Sequence, residues 1–175
     1  MPVKADGDDR IAKPKLSQRQ KVLIRGTRYY HYRRDIAYSQ ARPTQLRLPR
    51  ETDRLDCSGL VAACMDFAGV LPRIDWRYTN TWVQIKLGRA VPTSKARPGD
   101  VVFYGPAKGN PTHEAMFLGT LQQLRGQIKV PDEVAREMTS GGVFVLTHGS
   151  YPMDIRPMDY RGDRIQMRDL IGNDV

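Results

Sequence analysis

Residues 54–70 constrain this chain more than any other stretch. They read Arg-Leu-Asp-Cys-Ser-Gly-Leu-Val-Ala-Ala-Cys-Met-Asp-Phe-Ala-Gly-Val. Asp56 is a strong N-cap residue, Cys57, Leu60, Val61, Cys64 and Ala68 recur at helical spacing, and Gly69 supplies a C-terminal stop. The pattern predicts a short buried helix with Cys57 in its first turn. A thiol there meets free backbone N–H groups and the positive end of the helix dipole, which favour thiolate over thiol. Cys57 is therefore the candidate nucleophile. Cys64, seven positions on, would lie roughly 10 Å away along such a helix, too far for a disulfide, so both cysteines are expected as free thiols.

The rest of the chain is read around that helix. Residues 1–16 are polar, carry Pro2 and Pro14 and show no periodicity, which predicts a loose arm. Residues 17–175 show no internal repeat or break in composition and are expected to form one domain. From the N-cap candidate Ser17, a basic helix is expected over Gln18 to about Arg34, with Gly26 as its weak point. Asp35 to Asp53 has no clear period and leads into the Cys57 helix, a loop of the kind that shapes a pocket. Tyr38 is its candidate functional side chain. A capped short helix is expected over Thr79 to Gly88.

Strands follow. The Pro98-Gly99 turn launches Asp100 to Tyr104, and a turn-rich loop separates this run from a second strand, His113 to Gly119. Thr120 to Gly142 is a polar excursion with a surface helix expected over Pro131 to Glu137. Val143 to His148 reads as a third strand on which Phe144, Leu146 and His148 share a face. The tail from Ile155 to Leu170 is expected to add one or two edge strands. Helices first and antiparallel strands after make an α+β order.

A nucleophilic cysteine needs a base within hydrogen-bond reach, and the base needs a third polar group to hold its tautomer and charge. The chain has three histidines. His31 falls in the basic helix, whereas His113 opens one strand and His148 ends another. The expected constellation is Cys57 as nucleophile, His113 as general base and then general acid, and His148 as the orienting group. Backbone N–H groups at the start of the Cys57 helix would serve as oxyanion donors. No Cys-x-x-Cys or His-x-x-x-His pair supports a metal site.

Three segments carry a family resemblance: Asp56-Cys57-Ser58-Gly59-Leu60-Val61, Arg97 to Tyr104, and His113 to Gly119. In that order they resemble the signature segments of the NlpC-type cell-wall cysteine peptidases. The resemblance implies a papain-like core, a nucleophile helix packed on an antiparallel sheet, and no metal or cofactor. It assigns Cys57 as nucleophile, His113 as base and His148 as the third residue. It places Asp56 and Ser58 in the oxyanion and substrate-binding region, with Tyr38 as the oxyanion tyrosine, although the family's Trp-Gly-Gly is missing beside it. Tyr38 to Pro43 and Thr147 to Ser150 further resemble the peptidase modules of lysins from phages of actinobacteria. The implied reaction is cleavage of an amide bond in the peptidoglycan stem peptide, between D-glutamate and a diamino acid.

Charge is consistent with that reading. Lys+Arg 28 against Asp+Glu 19 gives a formal charge of +9, which suits an anionic polymer or surface such as a bacterial wall. The N-terminal residues lack an apolar h-region and no membrane-spanning run is present, so the expectation is a monomer made in a host cytoplasm, without membrane insertion, that reaches peptidoglycan through a pore or from a virion. Two other readings stay open at this level. One is an amidase or acyltransferase with the same dyad; the other is a non-catalytic basic protein, nucleic-acid-binding or structural in a virion, although no nucleic-acid motif is present and nucleic acid is not the expected partner. Arg161-Gly162-Asp163 matches an adhesion tripeptide, a match too short to carry a function.

Overall fold

A computed structural model of the protein describes residues 15–70 and 74–172. All but the last two residues of the arm expected over 1–16 therefore lie outside the described residues.

Helix α1 spans Gln18–His31 and starts on a full capping box, Ser17 Oγ accepting from the Gln20 N–H and the Gln20 side chain accepting from the Ser17 N–H. It ends three residues before the expected Arg34. Gly26, the weak point in propensity, is where α1 comes closest to the sheet: a Cβ there would stand 2.9 Å from Met116 Sδ and 3.3 Å from a Leu146 methyl. A larger residue would push the layers apart, so packing sets this position against propensity.

After α1 come two short strands, β1 (Ala37–Tyr38) and β2 (Arg54–Leu55), paired in parallel. The sequence reading had Asp35 to Asp53 as irregular throughout. Helix α2 (Cys57–Ala68) follows, capped by the Asp56 side chain on the Gly59 N–H and closed by Gly69 in the left-handed region at φ 68°. Nearly every position of α2 is buried because it is enclosed on more than one side, packing on α1 and on the sheet. The expected Thr79 to Gly88 helix contracts to α3 (Thr81–Gln84), started by Asn80.

The remaining strands are β3 (Arg89–Ala90), β4 (Val101–Gly105), β5 (His113–Gly119), β6 (Phe144–Thr147), β7 (Asp154–Pro157) and β8 (Arg164–Asp169), with short helices α4 (Leu121–Arg125) and α5 (Asp132–Glu137) between β5 and β6. They form a six-stranded antiparallel sheet in the order β3-β8-β4-β5-β6-β7. Of the tail strands, β7 takes the expected edge. β8 is the inner strand of the tail: it sits between β3 and β4, its Met167 buried against the far face of the sheet. Its alternating Ile165 and Met167 between charges reads like an edge, but one apolar face is all that an inner strand of a half-covered sheet requires.

The sheet separates two apolar layers. Phe103, Met116, Leu118 and Leu146 face α1 and α2 in the main core, while Val102, Tyr104, Ala115, Phe117 and Val145 pack on the other face. This alternation decides which site residues meet.

Candidate active site

Cys57 is the first residue of α2 and lines a cleft of about 460 Å³ whose walls include Arg42, Ser58, Tyr78, Thr81 and Trp82. Its own N–H and that of Ser58 lie in the first turn, where no intrahelical acceptor exists, and no other acceptor takes them among the described residues. They are the free donors that an oxyanion requires. Asp56 and Ser58 are already engaged. Asp56 Oδ1 accepts from the Gly59 N–H at 2.6 Å and from Ser58 Oγ at 3.1 Å. Arg42 Nη2 donates to Asp56 Oδ2 at 2.9 Å and to Ser58 Oγ at 2.8 Å.

Arg42 is the residue the sequence reading missed in this wall. It also donates to the carbonyls of Gln40, Ala41 and Thr79, tying the loop after β1 to the residues leading into α3. Tyr38 stands on β1, about one third exposed, with Gln40 Nε2 donating to its hydroxyl at 3.2 Å. Burial, and then the nearby Cys57, raises its pKa.

The state of the thiol differs from the expectation. Burial first, and then the Glu114 carboxyl, push Cys57 up to about 12, against the helping N–H of Glu114 and the Thr81 hydroxyl. A first-turn position does not suffice to make a thiolate when Cys57 is only 6% exposed and two carboxyls, Glu114 and Asp56, stand beside it. Thr81 Oγ1 is 4.0 Å from the sulfur, and the backbone N–H of Glu114 is directed at it.

His113 opens β5, one residue from the N–H that reaches Cys57 Sγ. Its ring stacks on Tyr104 with centroids 5.8 Å apart, and Nε2 lies 2.7 Å from Thr147 Oγ1. Nδ1 makes no hydrogen bond among the described residues, and none joins the ring to Cys57. Burial, followed by the Arg161 cation, pushes His113 down to about 4. At neutral pH the resting pair is a thiol and a neutral imidazole.

The third position departs from the expectation. His148 lies just beyond β6, with Nδ1 3.0 Å from the Ser150 carbonyl, Nε2 3.3 Å from the Ala37 carbonyl, and its ring edge-on to Tyr38 at 5.6 Å. Among the described residues no hydrogen bond joins it to His113. The period of two explains why: His113, Ala115 and Phe117 lie on the face of Val145 and therefore of Thr147, whereas His148 follows the parity of Phe144 and Leu146. The Thr147 hydroxyl occupies the orienting position, and His148 instead ties β1, with Tyr38, to the loop after β6.

The sequence profile of the NlpC/P60 family matches residues 37–144, from β1 to the start of β6. The chain belongs to the NlpC/P60 family. Among curated proteins, this NlpC/P60 chain is similar to the peptidoglycan endopeptidase RipA of Mycobacterium tuberculosis, 36% identical over 105 residues covering 60% of this chain and 19% of that protein. It is also similar to the peptidoglycan endopeptidase RipB of the same organism, 41% identical over 70 residues covering 39% of this chain and 26% of that one. The chain thus spans only 19% and 26% of the lengths of these relatives.

Solved structures match its fold. The structure of RipB from M. tuberculosis, described as a peptidoglycan hydrolase, gives a TM-score of 0.51 at 21% identity over 88% of this chain and 67% of that one. RipD from M. tuberculosis, described as a non-catalytic NlpC/p60 domain protein adapted to peptidoglycan binding, gives 0.54 at 20% identity over 89% and 99%. The architecture is accordingly the papain-like NlpC/P60 one, helix on antiparallel sheet.

Proposed function

We propose that this chain is a peptidoglycan endopeptidase that cuts the stem peptide through Cys57, at the bond between D-glutamate and the diamino acid, and that it serves as the peptidase module of a phage lysin directed at actinobacterial walls. The observation that carries the hydrolase reading is the cleft itself. A cysteine at the first position of a capped helix sits there beside two unused N–H donors, and the strand packed on that helix opens with His113, whose imidazole is anchored through Nε2 with Nδ1 open. The bond and the phage origin rest on the resemblance of the sequence segments, and the relatives named as mycobacterial peptidoglycan endopeptidases support the substrate class. The formal charge of +9 suits a wall of anionic polymers.

The mechanism follows from the resting protonation states. With a thiol and a neutral imidazole at pH 7, proton transfer accompanies attack: His113 Nδ1 takes the Cys57 proton as the sulfur bonds to the scissile carbonyl carbon. The oxyanion is received by the N–H groups of Cys57 and Ser58, with the Tyr38 hydroxyl beside them. His113 then gives its proton to the leaving amine as the C–N bond breaks. Water, deprotonated by the same imidazole, hydrolyses the thioester and restores the thiol. Thr147 holds the ring in register throughout, in the way the third member of a triad does.

The test is mass spectrometry of fragments released from purified peptidoglycan by the wild type and by Cys57→Ala. New termini between D-glutamate and the diamino acid from the wild type alone are expected. Termini at another bond would overturn the assignment of the bond. Walls bound by both proteins but cut by neither would replace cleavage with binding.

A further inference from the structure

Glu114 is the one buried acid in the described residues for which neither carboxyl oxygen finds a hydrogen-bond partner. It is fully buried, on the inner face of β5 with Met116 and Leu118, and its own N–H is directed at Cys57 Sγ. The groups facing it are Cys57 and Asp56 at the start of α2, Arg42 from the loop before β2, and Thr81 from α3; His113 adjoins it on its own strand. The Thr81 hydroxyl faces both groups, 4.0 Å from the sulfur and short of a hydrogen bond to the carboxyl. An ionised carboxylate without partners is strongly disfavoured in such a site, so the group is held as the neutral acid. A neutral carboxyl is a donor.

We propose that Glu114 is a positioning residue for the nucleophile, acting through Thr81: the protonated carboxyl donates to Thr81 Oγ1, and the Thr81 O–H donates to Cys57 Sγ when the sulfur becomes a thiolate. The proposal builds on Cys57 as the nucleophile. Its consequence is a conditional site. With its proton in place, Glu114 supports the thiolate through one hydroxyl; once ionised, it places a second negative charge beside the sulfur and opposes it. Burial, reinforced by Asp56, raises Glu114 well above the ordinary range for a glutamate. Asp56 itself is taken up by Arg42 and the α2 cap and so does not compete for Thr81.

The experiment reads the sulfur directly. The pH profile of Cys57 alkylation by iodoacetamide, followed by peptide mass spectrometry, is compared in the wild type, Glu114→Gln and Glu114→Val. Gln keeps a donor for Thr81 and cannot ionise, so its profile is expected about one pH unit below that of the wild type, tenfold faster at a given pH on the rising limb. Val keeps neither donor nor charge and is expected to react severalfold more slowly than Gln. Adding Thr81→Val to Glu114→Gln is expected to bring it down to the Val level, which also supplies the comparison if Glu114→Val does not fold. Superimposable profiles for the wild type and Glu114→Gln, or an unchanged profile on adding Thr81→Val, would overturn the proposal. Alkylation is read without peptidoglycan, so a protein that cuts no wall can still show the coupling, and a failed coupling leaves cleavage to its own test.

Discussion

Strand β4 has buried titratable side chains at both of its ends, and the two ends are built differently. Before its first residue, Arg19 from α1 lies with Asp100 and Asp169 in a cluster where all three side chains are 2% exposed or less. Arg19 donates to Asp100 Oδ1 at 2.9 Å and to Asp169 Oδ1 at 3.1 Å, while Arg89, Arg97 and the N–H groups of Ile171 and Gly172 complete Asp169. Burial pushes Asp169 up, but these partners outweigh it and hold the carboxyl below its usual range. At the other end, where Tyr104 pairs with His113, the buried polar groups are left incomplete: Glu114 has no partner and His113 Nδ1 is open. A finished network holds α1 to the sheet. An unfinished one leaves donors and acceptors open beside Cys57, at some cost to stability.

The comparison breaks first at Arg19. Arg19→Met removes the shared cation and leaves Asp100 buried beside Asp169, and an unfolding loss of about 3–5 kcal/mol is expected, read as a fall in the urea midpoint. A loss under about 1 kcal/mol would mean that the cluster is not what joins the layers.

The unfinished end is tested by acid. Burial, then Arg161, holds His113 down to about 4, and burial holds His148 down as well, whereas unfolded histidines bind their proton near 6.5. In the interval the unfolded chain carries more protons, so this contribution is complete above about pH 6.5, declines as the pH falls towards 4 and is spent below it. Its size for His113 is of order 3 kcal/mol. Glu114, raised by burial, works in the opposite sense, gaining stability as it is protonated. The His113 share is therefore the difference in thermal midpoint between the wild type and His113→Asn across pH 4–7, and two parallel curves would refute it.

The smallest effect sharpens the same point. Arg161 pairs with Asp163 at 3.1 Å on a partly exposed surface and lies 5.9 Å from the Tyr104 ring that stacks on His113. Arg161→Ala is expected to change stability by less than about 1 kcal/mol while moving the His113 titration upward, which NMR of the imidazole protons would follow. An unmoved titration would leave burial alone responsible for the state of His113.

Much of this arrangement was legible before any coordinates. Asp56, the apolar spacing from Cys57 to Ala68 and Gly69 determine a capped, buried helix, because capping, period and the left-handed stop act within a few residues of one another. Both site strands, β5 and β6, were equally local in their signal. Thr147 leaves no such signal, because the long excursion between β5 and β6 hides the register that sets Thr147 rather than His148 beside His113. Glu114 did leave a trace, an acid on the inward side of an otherwise apolar strand.

What only the tertiary structure decided is how those pieces meet. β8 enters the sheet between β3 and β4, Gly26 lets α1 close on Met116, and Arg42, Thr81 and Glu114 converge on Cys57 from segments up to 72 residues apart in number, 42 to 114. The protonation states were decided there too. The helix terminus that favours a thiolate is a short-range property, whereas burial is summed over everything packed around the sulfur, with Glu114 opposing a thiolate once it is itself ionised and Asp56 adding its charge, and that sum keeps Cys57 a thiol.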